Sequence, residues 1–257
     1  MGETDYVASL LSGYGPDEAI DLCAGIVGRA DLALGEAVDA VLDAHSLAGQ
    51  GRFKGIRYVS AWDAAASVQG AYPTHAGMLL ESAVLAGARR LAKRSLSLDL
   101  WLYFHQLEEV AALAKACPDL TLVINHCGGP IGVGPYAARR AEVAQQWRSA
   151  LQALKPLGNV SMKFGGLAMA LAGFGWRVRT VPPSSGDLVQ AWQPYFDTCL
   201  DVFGAGRCMF ESNFPVDRTG CSYTVLWNAF KTLAAPLSEA ERMALCSVTA
   251  RHVYRLV

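Results

Sequence analysis

The sequence lacks the features of a membrane, secreted or nucleic-acid-binding protein. No apolar run reaches the ~18–20 residues that a transmembrane helix needs, and the acidic, polar start has neither a basic region nor an apolar leader. The formal net charge is only −1 over 257 residues, which gives no electrostatic basis for binding a nucleic acid or an anionic membrane. We therefore predict a cytoplasmic protein whose partner is a small molecule.

Cysteine and histidine motifs for metal binding are also missing. The seven cysteines are odd in number and scattered, without CxxC or knuckle spacing, so neither a zinc finger nor a disulfide framework is indicated. HExxH does not occur. Cys127 directly follows His126, but neighbouring residues on an extended chain point to opposite sides. We therefore do not predict a Cys–His nucleophile pair, and we expect Cys127 to be a small buried hydrophobic residue.

Nucleotide-binding and serine-hydrolase signatures are absent as well. There is no GxGxxG after a strand-like segment, no Walker GxxxxGK[ST] and no GxSxG nucleophile elbow. The loop over residues 128–134 is rich in glycine but lacks the lysine and hydroxyl of a phosphate-binding loop. This loop is more typical of a tight turn beside an active site.

Strand-like and helix-like segments do alternate along the chain, six times at a spacing of roughly 35–40 residues. The apolar strand-like segments cover residues 20–27, 53–60, 96–104, 121–125, 159–164 and 207–211. This alternation predicts an α/β fold of parallel strands with crossover helices, as a barrel or a doubly wound sheet. The long segment 165–186 has no pattern of its own, and such a loop in a compact domain is typically a lid or a binding loop.

Polar residues fall late in these strands or just after them, which favours the barrel. They are Arg57, Tyr103, His105, Gln106, His126, Lys163 and Asn213. Parallel strands bring such ends to one face, which holds the active site in barrels. His126 can act as acid, base or ligand. The cations Arg57 and Lys163, with Arg177 or Arg179 from the long loop, suit a substrate that bears a carboxylate or an enolate-like oxygen.

Several segments together resemble the amidohydrolase-related (amidohydrolase 2) family, the metal-dependent-hydrolase barrels that include 2-pyrone-4,6-dicarboxylate lactonase and sugar lactonases. They are LTLVINHCGGP, NVSMKFGGL, RCMFESNFPVD, FKGIRYVSAWD and LWLYFHQL. The resemblance covers essentially the whole chain as one domain over residues 1–257. It implies a distorted (β/α)8 TIM-like barrel with its site at the strand C-termini, which hydrolyses a lactone or similar carbonyl compound with an activated water.

Two departures from the family pattern bear on the metal. The family's first strand usually ends in HxH, which is absent here, and the first visible strand resembles the family's third. The resemblance thus implies that the first two βα units are missing and six remain. Asn213 stands where metal-binding relatives have aspartate, and a neutral amide is a weaker zinc partner than a carboxylate. We predict no firmly bound metal; zinc would need ligands from the missing segment.

The resemblance suggests roles for the predicted residues. Arg57 and Tyr103 would orient the acidic substrate, and Lys163 or a loop arginine would share its charge. His126 would polarise the lactone carbonyl or stabilise the oxyanion. The general base would be His105 or a carboxylate such as Asp217, unless it lies in the missing segment.

Two alternatives stay open on the sequence. The first is an impaired or inactive truncated barrel, whose open strand edges a homodimer could close. The second is a doubly wound sheet that binds a small molecule.

Overall fold

The computed structural model describes residues 2–11 and 23–256, and its centre is a single parallel sheet. The strands are β1 (Ile26–Gly28), β2 (Phe53–Val59), β3 (Ser97–Trp101), β4 (Leu122–Ile124), β5 (Val160–Phe164) and β6 (Cys208–Phe210). Each strand pairs with the next one in sequence, so the order is β1-β2-β3-β4-β5-β6. A doubly wound sheet reverses its order at a switch point, and this sheet does not. The doubly wound alternative is therefore wrong for the described residues.

A helix precedes the first strand, and the helices after it follow the strands in the alternation that the sequence predicts. They are α1 (Gly2–Leu11), α2 (Val38–Ala48), α3 (Ser82–Lys93), α4 (Leu107–Ala116), α5 (Arg140–Gln152), α6 (Ser185–Phe203) and α7 (Tyr223–Ala234). The chain ends with α8 (Glu239–Met243), one π turn (Ala244–Val248) and α9 (Thr249–Tyr254). A separate short turn over Met78–Leu80, which begins after left-handed Gly77 (φ 74°), precedes the regular helix that starts at Ser82.

The main core lies between the sheet and helices α2 to α7. Alternate strand residues such as Ile56, Leu98, Ile124 and Met162 are fully buried in it. A right-handed crossover places its helix on a fixed side of the sheet, and the strand order always advances in the same direction. The crossover helices therefore all cover one face, and the sheet forms an open arc, a half-barrel. The eight-unit barrel stays a prediction, since the described residues contain six strands.

The inner face of the half-barrel has a second, smaller core. Val123 and Met209 from the strands pack there with Val253 and Tyr254 from α9. The last helix thus reaches back into the concave side, between strands that are distant in sequence. Beyond this smaller core, at the carboxyl ends of the strands, the inner face carries polar side chains instead. None of the described helices is both long enough and apolar enough to cross a membrane.

Candidate active site

A cavity of about 470 Å³, here called the strand-end cavity, opens at the carboxyl ends of the strands. Its walls are Glu3, Val27, Gly28, Arg29, Arg57, Val59, Tyr72, Trp101, His126, Met169, Asn213 and Val216. Three of the predicted site residues, Arg57, His126 and Asn213, therefore meet in one place although they come from three different strands. This is the convergence expected of parallel strands that end on one face.

His126 lies between a carboxylate and a guanidinium. Its Nδ1 is 2.5 Å from Oε1 of Glu211, and its backbone N–H donates to the same oxygen at 2.8 Å. Its Nε2 is 2.9 Å from Nη2 of Arg57. Because a guanidinium carries only N–H donors, Nε2 must accept, so Nδ1 carries the ring proton and donates it to Glu211. Glu211 and Arg57 together thus fix one tautomer of the imidazole.

The backbone at this site adopts an unusual conformation. The backbones of His126 (φ 54°) and Asn213 (φ 50°) both lie in the left-handed region, which residues other than glycine adopt rarely. Such conformations cost about 1–3 kcal/mol each and concentrate at functional sites. Gly166 (φ 70°) packs against the imidazole so closely that an added Cβ would lie 2.5 Å from the Cβ of His126. The loop after β5 therefore holds His126 from the side.

Lys163 lies one layer below the cavity in a buried network. Its Nζ donates to Oδ2 of Asp99 at 2.7 Å. We call this contact between Lys163 and Asp99 the interior ion pair. The same oxygen accepts from the hydroxyl of Tyr254 at 2.7 Å and the amide of Asn125 at 3.1 Å. Burial works against the charge of Lys163, but Asp99 and the nearby Glu211 outweigh it and hold the pKa of the ammonium above its usual range.

Glu211 is ionised at neutral pH for a related reason. Burial alone would raise the pKa of its carboxyl, but the imidazole and backbone N–H of His126 and the ammonium of Lys163 hold that pKa below its usual value. A carboxylate fixed in this way can orient an imidazole and stabilise the positive charge that the ring gains when it takes up a proton. Glu211 and His126 thus have the geometry of a carboxylate–histidine dyad.

Asn213 is oriented from behind by Asp217, which is fully buried. The Asn213 side-chain NH₂ donates to Oδ1 of Asp217 at 2.8 Å, so the amide oxygen of Asn213 points away from that carboxyl. Burial raises the pKa of Asp217 to about 7, against the hydrogen bonds from Asn213 and from the backbone of Ala168. Asp217 therefore supports the wall residue Asn213 and does not itself line the cavity.

Aromatic rings complete the walls. The ring of Trp101 meets that of His126 edge to face, with 4.7 Å between centroids. At the mouth of the cavity, the guanidinium of Arg29 lies over the ring of Tyr72, 4.5 Å from its centroid. The site thus has a deep cation, Arg57, and a second, solvent-exposed cation at its entrance.

Two predicted substrate contacts have structural partners instead. Tyr103 is buried, and its hydroxyl donates to the carbonyl of Val68 at 2.5 Å. Gln106 donates to the carbonyl of Ser60 at 2.8 Å and accepts from the backbone N–H of Trp62 at 3.0 Å. Both side chains fix the segment that follows β2, and neither lines the strand-end cavity.

Three other predicted residues also lie outside the cavity walls. The exposed His105 contacts the carbonyl of Trp62 at 3.0 Å, so the structure does not bring this candidate base to His126. Arg177 and Arg179 are exposed on the loop 165–186, and Arg179 is 3.5 Å from Asp187. The long loop instead contributes Met169 to the cavity.

The sequence interpretation missed the buried carboxylates. Asp99 lies inside β3 and Glu211 directly follows β6, each at an inward position of an apolar segment, where a charge needs a partner. A buried carboxylate needs a partner, and strand alternation directs both side chains to the inner face. Together these two rules could have paired them with Lys163 and His126, which the sequence had already indicated. Tyr254 gave no such signal, because its contact with Asp99 joins residues 155 positions apart.

A zinc site of the kind the family implies does not fit these residues. Within residues 2–11 and 23–256, no group of three or more histidine, cysteine or acidic side chains is arranged to hold a metal. Both ring nitrogens of His126 are engaged, one by Glu211 and one by Arg57. Asn213 offers a neutral amide oxygen as its only ligand atom. We therefore derive no chemical step through a metal.

Comparison with known proteins agrees with this architecture. The chain is 36% identical over 170 residues to the uncharacterized protein y4mH of Sinorhizobium fredii, covering 66% of this chain and 50% of that protein. It is 31% identical over 159 residues to L-fucono-1,5-lactonase of Burkholderia multivorans, covering 62% and 51%. The chain thus spans about half the length of these curated relatives.

A solved structure and a family profile extend the match over nearly the whole chain. An amidohydrolase from Burkholderia multivorans, crystallised with bound zinc, superposes with a TM-score of 0.78 at 25% identity, covering 100% of this chain and 80% of that one. The profile of the family described as amidohydrolase matches residues 14–256. The family resemblance seen in the sequence is thereby confirmed: the chain belongs to the amidohydrolase family.

Proposed function

We propose that the chain carries the active site of a hydrolase that opens a lactone or related carbonyl compound, with a carboxylate on the substrate, by attack of water in the strand-end cavity. The observation that carries this proposal is His126, held between Glu211 and Arg57 at the cavity wall. Membership of the amidohydrolase family and the similarity to a protein named L-fucono-1,5-lactonase support it.

His126 is the general base in this proposal. Its Nδ1–H is directed to Glu211, so Nε2 is the nitrogen that can take a proton from water. The hydroxide oxygen then bonds to the lactone carbonyl carbon. As the tetrahedral intermediate collapses, the ring C–O bond breaks and His126 returns its proton to the departing alkoxide oxygen. Lactone and water give a hydroxy acid, and Glu211 stabilises the transient imidazolium.

Arg57 binds the acidic group of the substrate. The other buried charges already have counter-ions, because Lys163 faces Asp99 and Glu211 faces His126. Among the described residues, no carboxylate lies within ion-pair distance of Arg57, so its positive charge is available to an incoming anion. A carboxylate matches the planar guanidinium fork in two parallel hydrogen bonds. Arg29, at the entrance, would draw such a substrate in.

The test is a hydrolysis screen of the purified chain against δ-lactones with and without a carboxylate, together with L-fucono-1,5-lactone. Turnover should be lost in His126→Gln and retained in His75→Gln, which removes an exposed histidine that does not line the cavity. Loss of turnover in both variants, or in neither, would contradict the role of His126. A folded protein that turns over none of these lactones would instead favour an inactive barrel.

A further inference from the structure

Arg57 covers the nitrogen that the proposed reaction needs. The 2.9 Å contact between Nη2 and Nε2 uses the lone pair of His126, because the guanidinium can only donate. Glu211 occupies the other ring nitrogen. In this arrangement the imidazole has no free lone pair for a water molecule, so the general base is blocked while Arg57 remains in place.

The blocking contact is also one that a carboxylate can displace. A neutral imidazole accepts a single hydrogen bond from Arg57, whereas a carboxylate accepts two and adds its charge. The cation has no carboxylate partner among the described residues and lies half-buried at the wall of a cavity of about 470 Å³. An anion that enters this cavity therefore offers Arg57 a better partner than His126 does.

We propose that Arg57 is a latch on His126 that the acidic group of the substrate releases. The substrate carboxylate draws the guanidinium away from Nε2, and the freed lone pair takes a proton from the attacking water as described above. This inference rests on the proposed function. A lactone without an acidic group can enter the cavity but leaves Nε2 of His126 blocked by Arg57. The enzyme would therefore prefer acidic lactones both because they bind more tightly and because they free the general base.

A binding experiment tests the latch without turnover. In uniformly ¹⁵N-labelled protein, the Nε2 resonance of His126 is assigned by its loss in His126→Gln, and glutarate or its uncharged diamide is then added. Glutarate should move this resonance to the position that it has in Arg57→Ala, whereas the diamide should leave it in place. The latch is wrong if saturating glutarate, or the Arg57→Ala substitution, leaves the resonance unchanged. It is equally wrong if glutarate does not bind.

A kinetic experiment separates a latch from a simple carboxylate-binding residue. Acetate, supplied separately, should accelerate hydrolysis of uncharged δ-valerolactone by the wild-type chain about tenfold, the effect expected when a charged hydrogen bond to the base is removed. Arg57→Ala should hydrolyse δ-valerolactone about tenfold faster than the wild type, without any effect of acetate. It should also lose about 10²-fold or more in kcat/KM on a carboxylated δ-lactone.

The controls keep the two proposals distinguishable. Equal concentrations of chloride show whether the acetate effect is only ionic strength, and Arg57→Gln replaces Arg57→Ala if the smaller side chain prevents folding. A simple carboxylate-binding arginine predicts unchanged δ-valerolactone hydrolysis in both Arg57 variants, and that result would overturn the latch. If no lactone is hydrolysed at all, the proposed function fails, and the resonance experiment still decides whether carboxylates release His126.

Discussion

Asp217 offers a quantitative test of the electrostatics beneath the site. It is fully buried, and its carboxyl accepts hydrogen bonds from the Asn213 side chain and the backbone of Ala168. Burial dominates and raises its pKa to about 7 from an ordinary value of 3.8. Between these two pH values the folded protein therefore holds a proton that the unfolded chain has released. The perturbation we suggest is Asp217→Asn, which removes the titration and preserves the shape.

The sign and size of the effect follow from proton linkage. A group whose pKa is raised by folding contributes stability that is present below its unfolded pKa and is lost as the pH rises through its folded pKa. Each tenfold change in proton affinity corresponds to about 1.4 kcal/mol, so ionisation of Asp217 should lower the free energy of unfolding by about 4 kcal/mol between about pH 4 and pH 8. The Asp217→Asn variant should lack this loss.

The assay is urea unfolding of both proteins at each pH unit across that range. Any mismatch of the amide with its hydrogen-bond donors shifts the variant curve by a constant, so the prediction concerns only the difference between the curves. Relative to Asp217→Asn, the wild type should lose about 4 kcal/mol from the lowest to the highest pH. Asp119→Asn, at an exposed position, is the matched control and should run parallel to the wild type. Parallel curves for Asp217→Asn would refute the reasoning.

Three further predictions concern the cavity and its support. Glu211→Gln should keep the fold but lower kcat for lactone hydrolysis by about 10²–10⁴, because the imidazolium loses its counter-charge; an unchanged kcat would exclude the dyad. Tyr254→Phe should lower the free energy of unfolding in urea by about 1–3 kcal/mol, because the interior ion pair loses a buried donor, and an effect near zero would contradict that contact. Gly166→Ala and Gly175→Ala replace glycines at φ 70° and 71°, so each should cost about 1–2 kcal/mol of stability through the backbone alone, and Gly166→Ala should cost more because its Cβ would also clash with His126. Only Gly166→Ala should also reduce activity, because its Cβ meets His126 whereas nothing lies within 4 Å of the Cβ at Gly175; equal activities would show that the loop does not position the base.

The arrangement of elements could be predicted from the sequence because it depends on local patterns. The helix α4 ends at Ala116, where the sequence itself marks a stop, since Pro118 disfavours helical backbone in the residue before it. Strand bounds were less accurate. The apolar segment 96–104 forms a strand only from Ser97 to Trp101, because Leu102 and the residues after it turn toward the next helix. An apolar sequence shows which residues are buried, but it does not show where the hydrogen bonds between strands stop, so it overestimates the length of the strand.

Site residues were predictable where the strand itself determines the direction of the side chain. Arg57 lies within β2 and follows its inward alternation to the cavity, whereas His126 lies two residues beyond Ile124, the last residue of β4, and reaches the cavity through its left-handed backbone. Tyr103 and His105 lie beyond the end of β3, where a short helical turn replaces the strand and the alternation no longer applies. Proximity to a strand end was therefore a necessary signal for a site residue but an insufficient one. The missing information was the path of the turn, which depends on contacts with other segments.

The position of Tyr254 links the assembly of the site to the last helix of the described chain. Asp99 is buried on the inner face, and its oxygen Oδ2 needs the donors that surround it. One of those donors arrives only when α9 docks into the half-barrel. Without it, Asp99 depends more heavily on Lys163, which also influences the charge of Glu211 and through it the tautomer of His126. The residues proposed to contact the substrate lie at the strand ends, but their charge balance depends on α9, which directly follows none of those strands.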